Sequence, residues 1–197
     1  MKKPRAIIIS ILILAALAVA GIGLAKFYFT KQANSEPADS TVKPPVKADE
    51  FSNGQPYLIY KDENFEIKYP NWPNINPANI ASPATMKVAV INAGCSFAVN
   101  SSLLPADMNF YDYTRELVKR QAVQYKFTLI EQNIGATKAY FIVEIPAGAD
   151  VVKNVSYAYL SKNQKQTYGV AFAANKDIYD TACQPVVDEV IASIKLY

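Results

Sequence analysis

The chain opens with an apolar run long enough to cross a lipid bilayer. Residues 6–25 are apolar except for Ser10, and three cations stand within the first five residues. An α-helix rises 1.5 Å per residue, so this run would span a hydrocarbon core of about 30 Å. Cations at this end favour a cytoplasmic N-terminus. We therefore expect residues 1–29 to be a transmembrane anchor in the cell membrane, with the rest outside the cytoplasm, periplasmic or extracellular.

A cleaved signal peptide is the alternative interpretation of the same segment. Ala18-Val19-Ala20 fits the small-residue pattern of a cleavage site. That pattern lies inside the apolar run, however, and residues 27–29, FYF, follow the run where an interfacial aromatic belt would lie. Both interpretations place the remainder of the chain outside the cytoplasm, and the anchor is the one we expect.

Two further regions follow the expected anchor. Residues 30–55 are rich in proline, serine and charged residues and have little to bury, which is typical of a disordered linker. Residues 56–197 hold 13 lysine and arginine residues and 13 acidic ones, so they are neutral. The basic excess therefore belongs to the N-terminal segment, and we expect no nucleic-acid partner for the domain.

The composition also restricts the chemistry that this chain can perform. There is no histidine, which removes the commonest general base and metal ligand, and two cysteines cannot build a four-cysteine zinc site. We therefore expect no metal, no cofactor and no enzymatic activity. An extracytoplasmic hydrolase using carboxylates remains an alternative, for which Asp107 with Asp112 and Asp177 with Asp180 are the candidate pairs. The second pair more simply complements a helix dipole.

Hydrophobic periodicity predicts an α+β domain in which a mostly antiparallel β-sheet is covered by helices on both sides, as an α/β/α sandwich. Short turns join successive strands, and 138–145 is apolar on both faces, as in a covered strand. Pro185 should kink the second helix or mark a second start. The predicted strands are 57–60, 65–69, 86–91, 95–100, 127–133, 138–145, 152–161 and 166–174, and the predicted helices are 109–122 and 176–194.

Two segments of this domain resemble PsbP-like domains. Residues 64–70, NFEIKYP, followed by Trp72, resemble the opening of that group, in which Phe, Ile and Tyr alternate before a proline and a tryptophan. Residues 191–196, IASIKL, resemble the end of its C-terminal helix. The group includes an extrinsic photosystem II subunit and a yeast Ran-binding import factor. The resemblance covers residues 56–197 and implies an antiparallel sheet between helices with a binding or assembly role.

The two cysteines, Cys95 and Cys183, are predicted to face the same layer between sheet and helix. Cys95 shares a strand face with Phe97 and Val99, while Cys183 flanks the apolar stripe of the last helix. Outside the cytoplasm a disulfide between them is chemically permitted. Two separate buried thiols are the alternative.

Trp72 and Tyr69 are the candidate contact surface. They flank the beginning of a loop rich in proline and asparagine, and an exposed indole beside a tyrosine is typical of a binding patch. The alternative, which we favour, is that Trp72 closes the edge of the core.

From these observations we expect a membrane-anchored extracytoplasmic domain with a non-catalytic binding or assembly-support role. Its partners would be the membrane, through the N-terminal helix, and an envelope or membrane protein. The carboxylate hydrolase and an accessory role in secretion or pilus assembly are the alternatives.

Overall fold

A computed structural model describes residues 56–75 and 85–197. The expected anchor, the expected linker and residues 76–84 of the proline-rich loop lie outside these described residues. Within the described part, no helix has the length and apolar character needed to span a membrane.

The strands form two antiparallel sheets. Six strands are ordered β3-β4-β8-β7-β6-β5, and three strands are ordered β1-β2-β9. The predicted antiparallel α+β class is therefore confirmed, although the small second sheet was not anticipated. The strands are β1 (Tyr57–Lys61), β2 (Phe65–Pro70), β3 (Met86–Asn92), β4 (Cys95–Leu103), β5 (Thr128–Ile134), β6 (Lys138–Ala147), β7 (Asp150–Leu160), β8 (Gln166–Asn175) and β9 (Lys195–Leu196).

The first helix, α1 (Phe110–Tyr125), has a side-chain cap at its start. The Asn109 Oδ1 accepts a hydrogen bond from the Asp112 backbone N–H at 2.9 Å, so Asn109 is the N-cap. The helix runs to Tyr125 rather than to residue 122, and Lys126 ends it in the left-handed conformation with φ 49°.

The C-terminal region is divided, where the periodicity predicted one helix over 176–194. A 3₁₀ turn, Lys176–Ile178, leads into α2 (Tyr179–Ala182), and α3 (Gln184–Ala192) starts afresh with Pro185 in its first turn. Proline lacks a backbone N–H and is tolerated at a helix start, which explains the second start. The predicted helical end at 194 is wrong, because the chain then extends as β9 and pairs with β2.

The helices cover both faces of the six-stranded sheet. On one face α2, α3 and β2 enclose a single continuous cluster that includes Phe65, Phe97 and Phe172, each fully buried. On the opposite face α1 lies over smaller separate clusters, one of which joins Phe110 to Phe141. One face of the sheet thus carries a single large hydrophobic cluster. The other carries several small ones, and we call it the divided face.

Candidate functional site

Cys95 and Cys183 lie in the continuous cluster and are joined by a disulfide. Both are fully buried, their Cα atoms are 5.3 Å apart and the Sγ–Sγ distance is 2.08 Å. Cys95 begins β4, and Cys183 stands between α2 and α3. The bond therefore attaches the C-terminal helices to the large sheet, in the layer where the sequence placed both residues.

The turn before Cys95 controls how closely the 3₁₀ turn approaches the sheet. Ala93 and Gly94 have φ values of 47° and 82°, as in a tight hairpin between β3 and β4. A Cβ atom at Gly94 would lie 2.7 Å from Cδ1 of Ile178. Glycine is favoured here by its positive φ, and any larger residue would also require the end of the Ile178 side chain to shift.

Tyr69 and Trp72 are half-buried, and both pack against the continuous cluster. The Tyr69 ring is nearly parallel to that of Phe97, at an interplanar angle of 4° and a centroid distance of 6.4 Å. The following loop is held to β3, because the Ile75 N–H donates to the Ala89 carbonyl at 2.9 Å. This placement suits closure of the core edge, and the role of the pair as a contact surface stays a prediction.

The Asp62 carboxylate, in the turn between β1 and β2, accepts several hydrogen bonds that the sequence analysis did not predict. Its Oδ2 accepts from the Tyr60 hydroxyl at 2.8 Å, and its Oδ1 accepts from the Tyr168 hydroxyl and the Phe65 N–H at 2.9 Å each. The Asn64 N–H donates to Oδ1 at 2.9 Å as well. Burial raises the pKa of Asp62, but these hydrogen bonds outweigh it and hold the pKa below its ordinary value.

Glu66 on β2 links the strands of the small sheet through side-chain contacts at the protein surface. It accepts from Lys195 Nζ at 2.6 Å, Lys61 Nζ at 2.9 Å and the Tyr197 hydroxyl at 2.8 Å. Hydrogen bonds from Lys195 and then from Lys61 lower the pKa of Glu66 to about 2. The cluster links β1, β2 and β9, which supports a structural role.

A cleft lies between α1 and strands β6, β7 and β8, on the divided face of the sheet. It is narrow and partly open to solvent, and its inner space of about 20 Å³ corresponds to roughly one water molecule. The strands beneath the helix carry small residues here, since Ala158 faces Gly169 across the β7–β8 pair. Small side chains leave space that a straight helix cannot fill. The lining includes Leu117, Gln121, Phe127, Phe141, Val143 and Gly169.

Two buried amides stand in or beside this cleft. Gln121 is 5% exposed, and its Nε2 has no hydrogen-bond partner among the described residues. Asn154 is fully buried and is the cross-strand neighbour of Val143, which lines the cleft. Its Oδ1 accepts from the Ser156 hydroxyl at 2.5 Å, while no described residue accepts from its Nδ2. Such unpaired buried donors are rare in folded proteins.

The edges of the large sheet differ in how they are covered. Asn74 forms an isolated antiparallel bridge with Val90 of β3, the strand at one edge. At the opposite edge, β5 pairs with β6 alone within the part of the chain that the structure describes. Leu129 and Ile130 of β5 are 40% and 54% exposed, and the pairing register with β6 shifts between Leu129 and Glu131. An uncovered edge with exposed apolar side chains is a template for strand pairing.

The carboxylate pairs considered for hydrolysis lie at the surface. Asp107 and Asp112 are exposed, as are Asp177 and Asp180. Asp180 forms an ion pair with Lys153 at 2.9 Å. Across residues 56–75 and 85–197, no three histidine, cysteine, aspartate or glutamate residues are grouped as metal ligands. The absence of enzymatic activity stays a prediction.

Comparison with known proteins gives similarity of structure alone. No protein-family model and no curated protein matches the chain. The Pseudomonas aeruginosa protein of unknown function PA94 is similar at a TM-score of 0.44 and 11% identity, over 68% of this chain and 93% of that one. The Saccharomyces cerevisiae Ran-binding protein Mog1p is similar at a TM-score of 0.42 and 7% identity, over 73% and 87% of the two chains. At these scores the likeness carries no argument about function.

Proposed function

We propose that this chain is a membrane-anchored module whose domain binds or supports the assembly of another protein outside the cytoplasm, without catalysis. The observation that carries the binding role is the outer edge of β5, to which no other strand of the described residues pairs, with its exposed Leu129 and Ile130. The partner supplies an extended segment that pairs with β5, because backbone hydrogen bonding to a sheet edge is a recurring mode of peptide recognition.

The proposed location rests on two separate features of the chain. The apolar run 6–25 is long enough to span a membrane. The disulfide between Cys95 and Cys183 is of a kind that forms and persists in oxidising compartments. An envelope or membrane protein is therefore the proposed partner.

Site-specific photocrosslinking in native membranes tests the binding role. A photoreactive amino acid at Ile130 should give one stoichiometric adduct, whereas the same group at Ile59 should not. Ile59 is the matched control because it is 62% exposed on β1, the edge strand of the small sheet. Identical adducts from both positions, or none from Ile130, would contradict the proposal.

A charged substitution tests whether β5 binds the partner or only lies near it. With the crosslinking group moved to Gln132 on β5, the change Ile130→Lys should abolish the adduct, and Ile59→Lys should preserve it. Lysine on an edge strand discourages pairing. Retention of the adduct in Ile130→Lys would show that β5 is not the contact.

The location is tested separately by thiol labelling of freshly isolated protein. Alkylation without reduction should leave Cys95 and Cys183 unmodified, and the mature protein in membranes should retain its N-terminal segment. Two reactive thiols would argue against an oxidising compartment, and a shortened chain would argue for cleavage after Ala20.

A further inference from the structure

We propose that the segment paired with β5 is basic on one side, and that Glu131 selects it by placing a negative charge opposite its lysine or arginine side chains. This inference rests on the proposed strand pairing at β5 and names the chemistry of the partner there. Three observations carry it: the face of the sheet on which Glu131 lies, the tyrosine rings beside it, and the balance of charge on that face.

Glu131 lies on the face of β5 that turns away from α1. It is the cross-strand neighbour of Ile142, and Asn133 is that of Tyr140. Directly opposed residues of antiparallel strands share a face of the sheet. Because Ile142 and Tyr140 pack against the continuous cluster, Glu131 lies on that side, where its side chain is exposed. A strand added at β5 would place every second side chain on this face, beside Glu131.

One of the tyrosine rings beside Glu131 already contacts a cation. Tyr140 and Tyr157 are half-buried cross-strand neighbours whose ring centroids are 5.0 Å apart. The Lys138 Nζ lies 5.3 Å from the centre of the Tyr157 ring, within the cation–π range of about 6 Å. Burial and then the charge of Glu131 raise the pKa of Tyr140. A basic side chain entering here would therefore meet a carboxylate and aromatic rings together.

The charge on this face favours a cation. In the described part of the chain, no ion pair includes Glu131 or Asp188 of α3. Burial raises the pKa of Tyr157 to about 12, with further contributions from Tyr140, Asp188 and Glu131. Against these two carboxylates stands Lys138, which lies over the tyrosine ring. A basic partner residue would complement the remaining negative charge, and an acidic one would be repelled.

The same charge opposes pairing between two copies of this chain. If two β5 strands paired in antiparallel fashion about Glu131, the two carboxylates would lie directly opposite each other. Like charges at directly opposed positions destabilise a strand pair. Charged side chains on an edge strand are one means by which proteins prevent unwanted pairing. Glu131 therefore disfavours identical and acidic segments and leaves the edge open to a basic one.

Two matched peptides test this selection on the full chain in zwitterionic detergent micelles. Each has eight residues, and one alternates valine with lysine while the other alternates valine with glutamate. A slip of two residues leaves the same kind of side chain beside Glu131. The readout is the NMR spectrum of the backbone amides of Thr128–Ile134, with those of Tyr57–Lys61 as the control edge. We expect saturable shifts at β5 and about two- to tenfold tighter binding of the lysine peptide, because a favourable pair replaces a repulsive one.

Charge reversal assigns the preference to Glu131. Glu131→Lys should reverse the preference in favour of the glutamate peptide, and Glu131→Gln should remove most of it. The control Glu63→Lys, at an exposed position between β1 and β2, should keep the preference for lysine. Equal binding of both peptides, saturable shifts with neither, or a preference unchanged in Glu131→Lys would each overturn the inference. Absence of the Ile130 adduct in native membranes would instead contradict the proposed protein-binding role, whatever the peptides show.

Discussion

The two faces of the large sheet are built from the same strands but are filled in different ways. One face holds Phe97, Phe172 and Tyr168 in a single cluster that is closed by the disulfide to Cys183. The face under α1 is divided into small clusters around a cleft with an unpaired amide at Gln121. The difference shows that the two faces of one sheet can be packed to different degrees by different covering helices.

The largest expected effect comes from matched phenylalanine truncations on the two faces. Phe97→Ala in the continuous cluster should lower the free energy of unfolding by about 4 kcal/mol, as large truncations in cores do. Phe141→Ala should cost at least about 1 kcal/mol less, because the cleft already deprives its ring of some contacts. Chemical denaturation followed by the fluorescence of Trp72 measures the free energy of unfolding of both variants. Equal losses of that free energy would show that the two faces are equally well packed.

Removal of the disulfide should give the second-largest loss of stability. Replacing both Cys95 and Cys183 by serine opens a loop of 88 residues. The loss should approach about 4 kcal/mol in the chain-entropy model, and strain relief would reduce it. Reduction of the wild-type protein is the matched treatment and should lower the unfolding midpoint similarly. Unchanged midpoints under both treatments would refute a stabilising role for the bond.

Replacing Asp62 by asparagine should cost about 2 kcal/mol near neutral pH, because hydrogen bonds to a charged acceptor are stronger than those to a neutral one. The folded-state pKa of Asp62 is lowered, so its contribution is fully present above the unfolded-state pKa of about 3.9. The difference between Asp62→Asn and wild type should therefore shrink as the pH falls below about 4. A difference that is independent of pH would exclude the carboxylate charge as its source.

The smallest expected change is a gain in stability on substitution of Gln121. Gln121→Leu removes a buried donor without a described partner and adds apolar surface to the cleft, so the free energy of unfolding should rise by about 1 kcal/mol. Gln124→Leu, exposed on the same helix, should change stability by less than about 0.5 kcal/mol. Thermal unfolding of both variants measures the difference, and a loss in Gln121→Leu would mean that the amide is satisfied.

Sequence patterns were sufficient where structure depends on neighbours along the chain. The alternation of Phe65 and Ile67 predicted β2, and Pro185 predicted either a kink or a second helical start, of which the structure shows the second start. The inward-facing positions of the last helices depend on the break between them. Val187 is buried while Val186 is only partly so, because the break at Cys183 changes the helical phase.

The remaining features depend on contacts between distant segments. Asp62 receives the Tyr168 hydroxyl from 106 residues away, and no local pattern marks that pairing. The cleft exists because Ala158 and Gly169 happen to face each other beneath α1, which requires the strand register. The two-residue strand β9 is too short for any periodicity to show.

The disulfide also determines how far this chain can be stretched. An extended residue spans at most about 3.3–3.6 Å, so the 88 residues between Cys95 and Cys183 represent roughly 300 Å of contour length. While the bond is intact, a force applied to the chain on both sides of this loop cannot release that length, even after the surrounding strands have separated. A partner bound at β5 would pull from inside the loop, because Thr128–Ile134 lies between the two cysteines. The bond therefore limits extension only when the force acts outside the loop.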